Sequence, residues 1–292
     1  MEEVTEYHHE DKTLVKKFFK LIISTFVMPY VRNGGVNVYY EVEEGAEPPL
    51  VFVHGWTANM NWWKEQRDYF SGKYKMVFVD NRGHGNSEKP LEYEHYRFEN
   101  FVSDLDLIVK DAGLEKFILV GHSFGTMISM KYCVEHPEKV LALVLIGGGT
   151  KIKAFHKLGY PFAKLFVSIS YKMSAEYVTR LAVGKRAAEV REWILDQVMK
   201  YTPPYSAMNT YKTLTTVDLR DAAKRIDKPT LIIVGEEDAL LPVSKSEELS
   251  KLIKNSKLVV VENAGHCVIL EKPEDVNKSI EEFVSKLTIN NR

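Results

Sequence analysis

Phe117-Ile118-Leu119-Val120-Gly121-His122-Ser123-Phe124-Gly125 is the stretch on which the reading of this chain turns. A short apolar run stops abruptly at Gly-x-Ser-x-Gly and helix-like sequence follows, which reads as a strand, a sharp turn and a helix with Ser123 at the apex. Such a turn pushes the serine hydroxyl out at the C-terminal edge of a sheet, and the flanking residues are small because the strand and helix backbones pass close together. Two glycines around a serine arise easily by chance, so the neighbouring segments must carry the reading.

Upstream, Val36, Val38, Tyr40 and Val42 alternate with polar residues as in a half-exposed strand. The apolar runs at 50–53 and 76–79 are too short for helices and suit strands covered on both faces. The first empties into His54-Gly55-Trp56 and the second into Asp80-Asn81-Arg82-Gly83-His84-Gly85-Asn86-Ser87. Residues 96–112 repeat apolar side chains at helical period, and Gly113 is a natural stop. Downstream of Ser123 a helix is expected to about residue 135, then a strand over 140–146 that ends in Gly147-Gly148-Gly149. The same rhythm returns with a strand at 230–234, a helix at 243–253, a strand at 257–261 and a final helix at about 273–287. Alternation of this kind predicts an α/β fold with a mostly parallel sheet covered on both faces.

Between residues 150 and 217 the rhythm fails. This segment is helical and aromatic, has no buried-strand run, and carries Gly159, Pro161, Pro203 and Pro204 as breakers. It reads as a helical cap inserted over the C-terminal edge of the sheet, with the core made of 34–149 and 218–292 and an N-terminal helical extension at 1–33. Within that extension, residues 13–28 place Leu14, Phe18, Leu21, Ile22 and Phe26 on one stripe, the pattern of an amphipathic helix docked on the body.

A chain of 292 residues with 45% apolar content can bury one large core, so a single domain with an insertion is favoured over two independent ones. A net charge of -1 gives no global reason to expect nucleic acid as a partner. Cys133 and Cys267 lack partners at metal-ligand spacing, so neither a metal site nor a disulfide framework is indicated. The first residues are acidic where a secretory signal is basic, and the apolar stretch 21–28 is far too short to span a bilayer. The expectation is a cytoplasmic protein without a membrane span.

Ser123 is joined by Asp238 in a loop after a later strand and by His266 in a loop after the next. With His54-Gly55-Trp56 upstream and Gly83-His84-Gly85-Asn86-Ser87 between, the arrangement resembles the α/β-hydrolase superfamily, specifically its small capped esterase, perhydrolase and enol-lactone hydrolase group. The resemblance covers about residues 34 to 288. It implies an α/β-hydrolase fold, a nucleophile, acid and base in the order Ser123, Asp238, His266, no cofactor and no metal. By the family pattern the backbone amides of Trp56 and Phe124 form the oxyanion hole.

The chemistry needs these residue types. A serine hydroxyl is a poor nucleophile until an imidazole removes its proton, and the imidazole needs a carboxylate to fix its tautomer and stabilise its charge. Glu236 and Glu237 adjoin Asp238, but the family's acid stands three residues after the glycine and before a proline, which favours Asp238. His54, His84 and His122 read as groups that hold the loops by hydrogen bonds, and Cys267 as a packed thiol.

The implied activity is hydrolysis of a small-molecule carboxylic ester, of short to medium acyl chain or aromatic, through an acyl-serine. A serine at position 123 counts against the dehalogenase and epoxide hydrolase branches, which use aspartate. A thioesterase, a cofactor-free perhydrolase or haloperoxidase and a ligand receptor on a hydrolase fold remain open. Phe155, Tyr160, Phe162, Phe166, Tyr171, Tyr177 and Trp193, with Trp56 and Phe124 below, are the candidate lining of an apolar pocket. Residues 151–191 hold nine basic residues against two acidic ones, which is either a solvated surface or a means of attracting anionic esters.

Overall fold

A computed structural model describes residues 29–152, 155–185 and 187–290. The expected amphipathic helix at 13–28 lies outside these residues. The strands are β1 (Tyr30–Asn33), β2 (Val36–Glu43), β3 (Leu50–Val53), β4 (Met76–Val79), β5 (Phe117–His122), β6 (Val140–Ile146), β7 (Thr230–Gly235) and β8 (Ser256–Val261). They form one sheet in the order β1-β2-β4-β3-β5-β6-β7-β8. β2 runs antiparallel to β4, and from β4 to β8 every pairing is parallel. β1 corrects the expectation of a helical extension running to residue 33: Tyr-Val-Arg-Asn is too short and too polar to announce a strand, and β2 beside it at the sheet edge supplies what its own sequence lacks.

Val31–Arg292 forms one compact unit. Within it the continuous apolar runs split residue by residue between two cores. Val51, Val53, Val77 and Val79 face one side of the sheet with the helices Phe98–Asp111 and Phe124–Glu135. Leu50, Phe52, Met76 and Phe78 face the other with the helices Lys64–Phe70 and Pro273–Asn290. Both faces are therefore dry, which is why these strands show no alternation.

Four helices follow β6 before the chain returns to β7: Phe155–Ile169, Tyr171–Ala182, Ala188–Tyr201 and Pro204–Leu214, with a short helix Arg220–Lys224 after them. Gly159 and Pro161, expected to break structure, lie inside the first of these. Proline there removes one intrahelical hydrogen bond, a cost the remaining turns of a fifteen-residue helix offset. Pro204, by contrast, stands at the start of its helix, where its missing N–H has no intrahelical acceptor to serve.

One buried ion pair ties the loop after β4 to the helix beneath it. Arg82 Nε and Nη2 donate to the two carboxylate oxygens of Asp104 at 2.6 and 2.5 Å, and Asn33 Nδ2 donates to the same group at 2.8 Å. Arg82 Nη1 also donates to the His95 carbonyl at 2.8 Å. Burial pushes the Asp104 carboxyl up, and the Arg82 hydrogen bonds and charge oppose that rise. Removing one partner of such a pair costs about 3–5 kcal/mol because the other is left as an uncompensated buried charge. Arg82→Met is expected to lower the unfolding free energy in urea by that amount, and Asp104→Leu added to it should recover most of the loss. A single variant as stable as the parent would show that water reaches the pair.

Candidate functional site

β5 ends in a backbone that only a few geometries allow. Ser123 has φ 52 and ψ −116, and the helix Phe124–Glu135 begins at the next residue. A Cβ on Gly125 would stand 2.1 Å from the Val53 carbonyl oxygen, and one on Gly121 would stand 2.6 Å from the Gly125 carbonyl oxygen. Neither position can carry a side chain, so the spacing in Gly-x-Ser-x-Gly is a packing requirement of the turn. The Ser123 amide donates to the Ile146 carbonyl at 2.9 Å, and Thr126 returns two hydrogen bonds to the Ser123 carbonyl. Ser123 itself stays half-buried, facing a cavity.

His266 follows β8 and Asp238 follows β7. The two loops bring His266 Nδ1 to 2.7 Å from Asp238 Oδ2, both residues being buried. The other carboxylate oxygen of Asp238 accepts the amides of Leu240 and Leu241 at 2.9 and 2.7 Å, which fixes its orientation. Its neighbours are otherwise engaged: Glu236 accepts the Asn263 amide and Glu237 the Lys185 amide. With Nδ1–H directed at Asp238, the basic position of the imidazole is Nε2. Burial alone would depress the His266 pKa, but the charge and hydrogen bond of Asp238, with the charge of Glu271, raise it above the ordinary 6.5.

The other motif histidines are held neutral. His122 is pushed down to about 3 by burial and by the neighbouring His266, and its Nε2 contacts the His266 carbonyl at 3.0 Å. His84 falls to about 4 through burial, and its Nδ1 lies 3.0 Å from the Arg82 carbonyl. His54 accepts the Asn81 amide at Nε2 (2.9 Å), so its proton is on Nδ1, 2.7 Å from the Gly55 carbonyl. Asn81 Nδ2 donates back to the His54 carbonyl at 2.9 Å. These bonds sew the loop after β3 to the loop after β4. Behind them the buried Asp80 carboxylate, raised to about 6 by burial, accepts the amides of Met60 and Asn86, both at 2.7 Å.

The loop after β3 runs against Ser123: a Cβ on Gly55 would come within 2.8 Å of the Ser123 Cβ. The amides of Trp56 and Phe124 lie on either side of this contact in the chain, and neither donates to an acceptor among the described residues. Trp56 is fixed by its indole N–H, which donates to the Ala207 carbonyl at 2.8 Å. The Phe124 side chain departs from its expected place in the pocket. It is turned into the core against Phe98 and Phe101, because the first residue of this helix points its side chain back under the sheet edge.

A cavity of about 460 Å³ lies over Ser123 and His266. Of the expected aromatics, Trp56, Phe162, Phe166, Tyr171 and Tyr177 line it, joined by aliphatic residues such as Ile194, Val198 and Leu240. Tyr160 stacks on Tyr211 instead, and Trp193 packs by Trp62 under the Lys64 ammonium. The Phe155 side chain is outside the described residues. Among the described lining residues the titratable side chains are His122, His266, Cys267 and the phenols of Tyr171, Tyr177 and Tyr211, and no Lys, Arg, Asp or Glu is present. Cys267 is fully buried and burial raises its thiol well above 9.0, so it is an un-ionised apolar group. Among the described residues no three His, Cys, Asp or Glu side chains converge as metal ligands, and no helix is long and apolar enough to cross a membrane.

Sequence reasoning missed the groups that tie the inserted helices to the histidine loop. Glu271 accepts the amides of Gly184 and Gly265 at 2.8 and 3.0 Å, and the Cys267 amide donates to the Ala182 carbonyl at 3.2 Å. A glutamate that serves two backbone amides leaves no spacing signature, since its partners are 87 and 6 residues away.

The family model described as serine aminopeptidase, S33, matches residues 46–273. The AB hydrolase superfamily protein YisY of Bacillus subtilis is 29% identical over 87% of this chain and 98% of its own length. Epoxide hydrolase 1 of Caenorhabditis elegans is 24% identical, over 88% of this chain and 70% of its own length. Among solved structures, the esterase EaEST of Exiguobacterium antarcticum superposes with a TM-score of 0.81 at 24% identity, covering 88% of this chain and 98% of its own. That likeness carries the α/β-hydrolase fold.

The His266 pair gives a direct measurement. In an NMR titration the imidazole of His266 is expected to titrate above 6.5, and Asp238→Asn, which deletes the charge that raises it, should move the midpoint down. A midpoint unmoved by Asp238→Asn would mean that another group carries the shift.

Proposed function

Because the chain belongs to the serine aminopeptidase, S33, family of hydrolases, we propose that it hydrolyses carboxylic esters with an uncharged, apolar acyl group through an acyl-Ser123 intermediate. The observation that carries this reading is the 2.7 Å His266–Asp238 pair at the wall of the apolar cavity onto which the strained Ser123 faces. His266 Nε2 takes the hydroxyl proton as Ser123 Oγ bonds to the ester carbonyl carbon. The Trp56 and Phe124 amides stabilise the oxyanion. Collapse breaks the bond to the alcohol, which leaves with the proton from His266, and water then repeats the sequence to release the acid. Each oxyanion donor is worth about a hundredfold to a thousandfold in rate. The helices of 150–217 act as the cap, and 34–149 with 218–292 as the core.

The described lining favours an uncharged substrate group. An aminopeptidase must seat a free ammonium, and among the described residues no Asp or Glu lines the cavity; an anionic acyl group would need a cation there, and no described Lys or Arg lines it. The basic residues of the cap are supported as surface instead, with Lys164, Lys172 and Arg180 exposed. One relative is named an epoxide hydrolase, and the serine at position 123 favours the ester hydrolase reading for this chain.

Ser123→Ala is expected to lower kcat/KM for p-nitrophenyl esters by at least about 10³-fold with the fold intact, and a phosphonate should label Ser123 alone. The pH profile of kcat/KM should rise through the His266 pKa, above 6.5, because the free imidazole must be neutral to accept the proton. In an acyl series from acetate to decanoate, neutral chains should be preferred over a succinate monoester of equal length. Full turnover by Ser123→Ala, or adduct formation elsewhere, would sink the assignment.

A further inference from the structure

Two consecutive helices of the cap are built inside out. In Tyr171–Ala182 the buried residues are Ser174, Ala175, Thr179 and Ala182, all small, whereas Met173 and Tyr177 are 56% and 59% exposed. In Phe155–Ile169 the residues Phe162, Leu165 and Ile169, at three- and four-residue spacing, are 76%, 59% and 71% exposed. A water-facing helix of a soluble protein normally puts its large apolar stripe inward. The two helices pack on each other, and Phe162 and Tyr177 belong both to the exposed stripe and to the cavity lining. The apolar face is therefore continuous with the cavity.

The charges around it select what covers it. Lys164, Lys172 and Arg180 stand exposed on the same helices, and Glu176 is the one acidic residue in their sequences. A second copy docking by a two-fold would set these cations against themselves. The chain's own segment 13–28 would bring Lys16, Lys17 and Lys20 and no acidic residue. An apolar stripe flanked by cations that outnumber the single Glu176 matches an anionic lipid surface: the side chains enter the acyl boundary and the cationic groups stay among the headgroups.

We propose that the face formed by Phe155–Ile169 and Tyr171–Ala182 docks on an anionic lipid surface and turns the cavity mouth toward the lipid. The docking stands on the exposed face alone. Its consequence, that an acyl ester passes from lipid to cavity without crossing water, rests on the ester hydrolase reading.

Vesicle flotation with the full chain tests it, using phosphatidylcholine alone and phosphatidylcholine mixed with phosphatidylserine. The chain is expected to float with the mixed vesicles, and less so as salt rises. Leu165→Ser, Ile169→Ser and Met173→Ser combined should lower the partition coefficient at least about tenfold, as should Lys164→Glu with Lys172→Glu. None of these five side chains lines the cavity, so hydrolysis of a soluble monomeric ester should stay at the parent rate in both variants. Ser123→Ala should float like the parent, which separates failure of docking from failure of the hydrolase assignment. Absence of flotation with mixed vesicles, or flotation that both variants leave unchanged, would overturn the proposal. So would a dimer in sedimentation that the apolar variant dissociates without any vesicle binding, since the face would then belong to a second copy.

Discussion

Everything at this site depends on how closely two backbones pass at Gly125. Its α-carbon lies against the Val53 carbonyl, with no room for a Cβ, so the helix that starts at Phe124 rests directly on the end of β3. The residues after Val53 are His54, Gly55 and Trp56, and the same contact therefore presses their loop onto Ser123. Ser123 and the loop that carries Trp56 are positioned by one steric constraint. The left-handed backbone at Ser123 costs about 1–3 kcal/mol, and it persists because the fully buried strand before it and the buried helix after it leave the turn no alternative.

A second constraint is electrostatic. Four buried histidines gather within a few loops, and low dielectric alone would keep all of them neutral and weakly basic. Burial does depress His54, His84 and His122. Only His266 has a carboxylate within hydrogen-bonding distance of its ring, and only its pKa rises. The fold thus raises the basicity of one of four chemically identical side chains by granting it a carboxylate partner, and the other three serve as donors and acceptors between loops.

The strands that carry this arrangement were readable because a parallel strand buried on both faces is a bare apolar run, as at Leu50–Val53 and Val140–Ile146. Asp238 was readable because it follows such a run in β7, and His266 because it follows the valine run that ends the partly exposed β8. What escaped was whatever depends on partners distant in sequence. Arg82 finds Asp104 across a helix turn and loop, and Glu271 meets Gly184 87 residues away. Phe124 shows a different limit: its place next to Ser123 in sequence does not say which way its ring turns, and the ring is buried in the core against Phe101.

The charge of the cap and the apolarity of the cavity are two sides of one design constraint. Nine basic residues crowd 151–191, yet the described lining of the cavity holds no Lys or Arg. A cation inside a cavity of that composition would forfeit several kcal/mol of hydration without a partner, and Lys164, Lys172 and Arg180 are exposed on the surface instead. There they act at the range of a Debye length, about 8 Å at physiological salt, on whatever approaches. Long-range attraction and short-range exclusion are thus separated in space: the exposed cations act on whatever approaches, and the described cavity lining presents mostly apolar side chains to whatever enters.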